Sequence, residues 1–71
     1  MPIYVVNKNA QPNSRDHEVH DLASTKDCLP IAANQLRLGY FGNCADAVRA
    51  AKQYYGDVNG CYYCVPACHT T

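Results

Sequence analysis

The side chains with the most chemistry available to them are cysteines and histidines, and they crowd toward one end. The chain closes with "GCYYCVPACHTT", which holds Cys61, Cys64, Cys68 and His69. The remaining members of the set are His17, His20, Cys28 and Cys44. A tetrahedral zinc site needs four thiolate or imidazole donors about 2.0–2.3 Å from the ion. Cys61-Tyr62-Tyr63-Cys64 is a C-x-x-C pair, and two intervening residues let the chain turn and aim both sulfurs at one point. Such a pair needs two more donors. His20 and Cys28 are the natural candidates, because both fall near the end of the first expected hairpin. Seven residues lie between them, so Ala23 to Asp27 must loop out.

Two competing ligand sets stay open. Cys68 and His69 complete a local site with Cys61 and Cys64, but four donors within nine residues are crowded, and neighbours in sequence rarely aim at one ion. His17 competes with His20. Three positions apart on a strand, the two point to opposite faces. The C-x-x-C pair also has a redox reading, as a dithiol/disulfide couple with Cys68 as a possible third thiol. A thioredoxin-type couple opens a helix that follows a strand, where the dipole lowers a thiol pKa. Here the helix precedes the pair and Pro66 follows it, which favours metal. Both readings stand against a bland one, in which the thiols are small core side chains. That reading is strongest for Cys44, which lies on an apolar helix stripe and has pairing with Cys68 as its alternative.

These donors have to be positioned by very little protein. The chain has 71 residues, one domain over 1–71, and its large aliphatic side chains are few. A domain of this size buries only about 60% of the surface that its unfolded chain exposes, so a staple such as a metal or a disulfide is expected. "IYVV" (Ile3 to Val6) reads as a strand, and Asn7 to Asp16 as a polar turn or loop. "HEVHDL" (His17 to Leu22) reads as a second, antiparallel strand. Asn34 to Phe41 alternates Leu36 and Leu38 with Gln35 and Arg37, a half-buried strand that Gly39 ends or bulges. Asn43 is a good N-cap and Asp46 complements the dipole behind it. Cys44, Val48, Ala51 and Tyr55 then share one face of a helix over about 44–55, and Gly56 stops it. "GDVNG" reads as a turn. The expected architecture is α+β: a small, mainly antiparallel sheet of two to three short strands with one helix packed on it. Val5, Val19, Leu36, Leu38, Val48, Ala51 and Tyr55 are the expected core.

The order of motifs resembles a known module. A strand with "NKN" is followed by "VH" (Val19, His20), "CLP" (Cys28 to Pro30), the strand-to-helix step "LGYFGNCADAVRAA" and a closing C-x-x-C before Pro66. This resembles the Ada-type zinc-binding module, the metal-binding β-ribbon of the bacterial DNA methylphosphotriester repair protein, over roughly Ile3 to Pro66. It is also similar to small bacterial proteins ending in a Cys-Tyr-Tyr-Cys and Cys-His pattern. The resemblance implies zinc on His20, Cys28, Cys61 and Cys64. The chain departs from the module in its longer gap between His20 and Cys28, in lacking basic residues after Cys64, and in adding Cys44, Cys68 and His69. The methyl-accepting activity is therefore not carried over.

Charge and composition narrow the function classes. Six basic and six acidic side chains balance, with no basic cluster, which argues against a general nucleic-acid binder. No apolar run approaches the length of a membrane helix, and the N-terminus has no signal-peptide pattern. A cytoplasmic protein with reduced thiols is the expectation, and an odd number of cysteines, five, also counts against a disulfide framework. Catalysis is not expected: no Ser/His/Asp set, no paired carboxylates and no phosphate-binding glycine loop are present, and Asp16 and His17 have no nucleophile beside them. Tyr54, Tyr55, Tyr62 and Tyr63 are expected to complete the core with their hydroxyls outward, at least one of the helical pair being partly exposed. The expected function is a zinc-stapled structural module that binds a protein partner. A redox protein using the C-terminal cysteines, and a metal-free structural or oligomerising protein, are the alternatives.

Overall fold

A computed structural model describes residues 3–12, 15–24 and 28–69. Strand β1 runs over Ile3–Asn7 and pairs antiparallel with β2, His17–Asp21. On its other side β1 pairs antiparallel with β3, Gln35–Tyr40. Helix α1 spans Cys44–Ala51, and strand β4, Val58–Gly60, then pairs with β2 in parallel. The strand order is β3-β1-β2-β4. Short 3-10 turns over Ala32–Asn34 and Pro66–Cys68 complete the fold.

The expected α+β class holds, with a sheet that is larger than expected. It has four strands rather than two to three, and it is mixed. The missed strand lies in the segment read as a turn. Three residues, two of them Asn59 and Gly60, carry no alternating pattern. Their pairing comes from the long-range register, which sets Val19 opposite Gly60, and from the Cys61 N–H donating to the Val19 carbonyl at 2.9 Å.

The helix starts where Asn43 caps it. Asn43 Oδ1 accepts from the Asp46 N–H at 2.9 Å, satisfying one of the orphan donors of the first turn. It ends at Ala51, four residues before the expected limit. Beyond it the bonds tighten: Gln53 N–H donates to Ala50 and Tyr54 N–H to Ala51, an i to i−3 pattern. Tyr55 N–H still reaches Ala51, so the apolar stripe keeps its direction after the regular helix has stopped.

Helix α1 lies across the sheet and touches all four strands. The buried cluster beneath it contains Tyr4, Val6, Val19, Ala47, Ala51, Cys61 and Val65. Of the expected core, Val19 and Ala51 are in this cluster. Leu36, Leu38, Val48 and Tyr55 pack against it half-buried, as does Cys44. Val5 is also buried but outside the cluster, directly opposite His20 in the β1–β2 register. Strand alternation therefore places Val5 and His20 on the face away from Val6 and Val19. Gly39 sits where the β1–β3 register shifts. Tyr4 faces Gly39 and Val5 faces Arg37, leaving Leu38 as the extra residue. With φ at +116°, this bulge position is one that only glycine takes without strain.

Candidate metal centre

Four of the expected donors converge. The ligand atoms of His20, Cys28, Cys61 and Cys64 all lie within 4.8 Å of one another. They come from three places. His20 is on β2, Cys28 is in the connection after it, and Cys61 and Cys64 follow directly on β4. The parallel β2–β4 pairing makes the convergence possible, because it lays the C-x-x-C turn beside the end of β2. Part of the expected loop-out between His20 and Cys28, residues 25–27, lies outside the described residues.

The geometry suits a tetrahedral ion. Arms of about 2.0–2.3 Å give edges of roughly 3.3–3.8 Å between donors. His20 Nδ1 and Cys64 Sγ are 3.5 Å apart. Three sulfurs and an imidazole are soft to borderline donors, suited to zinc and unsuited to magnesium or calcium. His20 and Cys61 are each 1% exposed, while Cys28 and Cys64 are half-buried.

Without an ion, burial favours the uncharged forms of Cys61, Cys64 and His20, protonated sulfurs and a neutral ring. Burial pushes the Cys61 thiol above its ordinary value of 9.0, against hydrogen bonds from the Cys64 and Tyr63 N–H groups that favour the thiolate. Burial likewise pushes Cys64 up to about 12; the Asp21 N–H opposes it, while Cys28 and Cys61 add to it. Burial lowers the pKa of His20, favouring a neutral ring, the form that binds metals. Peptide N–H groups already point at these sulfurs, and a bound cation would add the charge that favours their thiolate form. His20 Nε2 is buried and, among the described residues, has no hydrogen-bond partner.

The competing donors are used elsewhere. Cys68 forms a disulfide with Cys44, their Cα atoms 6.2 Å apart. This corrects the expectation of uniformly reduced thiols, and it takes Cys68 out of a local four-donor site. The 3-10 turn over Pro66–Cys68 carries the sulfur back to the start of α1. His69 Nδ1 lies 3.0 Å from the Gly60 carbonyl; since a carbonyl only accepts, that nitrogen carries the proton. His17 turns to the opposite side from His20, stacking on Tyr55 with ring centroids 3.7 Å apart while its Nδ1 reaches the Asn7 carbonyl at 2.9 Å. Tyr62 and Tyr63, between the C-x-x-C sulfurs, are 62% and 65% exposed and meet edge to face.

The fold and the site together define a small α+β domain whose His20, Cys28, Cys61 and Cys64 are positioned to hold a metal ion. No family model, curated protein or solved structure matches the chain. No described helix is long and apolar enough to cross a membrane.

Proposed function

We propose that the chain is a zinc-stapled interaction module whose metal is structural. The observation that carries this is the convergence of four soft donors from distant parts of the chain within 4.8 Å. Four protein donors fill a tetrahedron and leave no position for substrate, which separates a structural zinc from a catalytic one. The ion would join the β1–β2 hairpin, which supplies His20, to the segment after β4. Apparent binding energies of about 10–16 kcal/mol for structural zinc in small peptides are large beside the core of so short a chain. Tyr62 and Tyr63 stand outward from the same turn, giving a protein partner two aromatic anchors beside the metal.

The redox alternative has less support. A reactive thiol has a lowered pKa, whereas burial raises those of both C-x-x-C cysteines. Native mass spectrometry with and without a chelator tests the proposal. A mass shift of one zinc, lost on chelation together with much of the fold's stability, is expected. A protein that keeps the same fold and the same mass with chelator would overturn it.

A further inference from the structure

We propose that Glu18 is the positioning residue of the metal site, holding the His20 ring in the tautomer that presents Nδ1 to the ion. The inference rests on the metal reading above and adds to it a residue outside the donor set. His20 is 1% exposed, and its two ring nitrogens have different surroundings. Nδ1 faces Cys64 Sγ at 3.5 Å, inside the donor cluster. Nε2 points away from that sulfur, is buried, and has no hydrogen-bond partner among the described residues. A buried polar nitrogen without a partner is costly to leave unpaired, so its nearest carboxylate is significant. That carboxylate is Glu18, with Oε1 at 4.0 Å and its side chain 19% exposed.

Glu18 is well placed for this role. It stands two residues before His20 on β2, so strand alternation puts both side chains on one face. The oxygen facing Nε2 is itself held, because Gln11 Nε2 donates to Glu18 Oε1 at 3.0 Å. Asp16 and His69 are its other charged or titratable neighbours, with opposite effects on the carboxylate. The 4.0 Å separation is about 1 Å beyond hydrogen-bond range. A small ring rotation as Nδ1 takes the ion would close it. A ligating histidine commonly gives its other N–H to a carboxylate, which fixes the tautomer and makes the metal-bound nitrogen more basic. Here Nε2–H would donate to Glu18, leaving the Nδ1 lone pair for the metal.

The test uses the full chain loaded with zinc. Long-range nitrogen–proton NMR of the unaltered protein should show His20 with Nδ1 on the metal and a proton on Nε2. Zinc affinity is then measured by chelator competition for the unaltered protein, Glu18→Ala and Glu18→Gln. Loss of the carboxylate should weaken binding about 10–100-fold, with one ion still bound at saturation. Glu18→Gln, whose amide oxygen can still accept, should recover most of the loss. Metal on Nε2, or a Glu18→Ala affinity within twofold of the unaltered protein, would overturn the Glu18 proposal and leave the metal site standing. Failure of the unaltered protein to bind zinc would overturn both. Should Glu18→Ala not fold, the NMR assignment and Glu18→Gln still decide.

Discussion

His20 Nδ1 lies 3.5 Å from Cys64 Sγ although the two residues are 44 positions apart. Such a contact closes a long loop, whose entropy must be offset elsewhere. Two groups with raised or lowered pKa values do little of that by themselves. An ion between them would do much of it, which makes the donor set the first target for substitution.

Cys28→Ser, Cys61→Ser and Cys64→Ser should each abolish stoichiometric zinc binding, whereas the double variant Cys44→Ser/Cys68→Ser should retain one ion. Metal content by native mass spectrometry separates the two groups. Zinc retained in Cys28→Ser but lost in the folded double variant would move the site to the C-terminal cluster.

The pH dependence of the metal-free fold should be two-sided. Burial lowers the His20 pKa from 6.5, so below that value the unfolded chain takes up a proton that the folded chain resists, and stability falls. Burial raises the thiols from 9.0, Cys64 to about 12, so between these values the unfolded chain ionises first and stability falls again. Zinc should remove the alkaline loss, since it holds the sulfurs as thiolates, and steepen the acid one, since protons displace it. Urea denaturation with and without chelator, in the windows below 6.5, between 6.5 and 9.0, and above 9.0, checks this. A metal-free protein that gains stability above 9.0 would contradict it.

The Cys44–Cys68 bridge spans a separation of 24 residues. A loop of that length corresponds to about 3.5 kcal/mol of lost unfolded-state entropy. Cys44→Ala/Cys68→Ala should lower the denaturant midpoint accordingly. An unchanged midpoint in non-reducing buffer would show that the bridge contributes nothing to stability.

Gly60 is packed where no side chain fits. A Cβ there would come within 2.8 Å of the Cys68 carbonyl carbon and Cβ, atoms held in place by the disulfide. Gly60→Ala should cost about 1–3 kcal/mol by overpacking. At Gly56 a Cβ meets nothing within 4 Å, so Gly56→Ala is the control. Equal thermal midpoints for the two variants would refute the clash.

The donors were legible because thiols, imidazoles and a C-x-x-C spacing limit the chemistry to a few options, and because alternation on β2 separates His17 from His20. Helix α1 was legible for a local reason, an N-cap followed by an apolar period. What stayed hidden depends on contacts between distant segments. β4 is too short to have a pattern and exists through its pairing with β2. Pairing of Cys44 with Cys68 was one option among several, and only the turn at Pro66–Cys68 selects it. Tyr4 and Val6 are core because alternation on β1 turns them to the face of Val19, a phase set by the β1–β2 register, and Ala47 because the helix lies across that sheet. Nothing in the spacing of Glu18 and His20 marks one as support for the other.

The bridge between Cys44 and Cys68 also divides the molecule into two mechanical parts. Residues 44–68 form a covalently closed ring that contains α1, β4, Cys61 and Cys64. His20 and Cys28 belong to the open stretch of chain before it. An ion held by all four would therefore act as a clasp between ring and open stretch. Its departure would open the clasp and leave only the β2–β4 pairing and the packing of α1 to hold the two parts together, with a partner on Tyr62 and Tyr63 gripping the ring side.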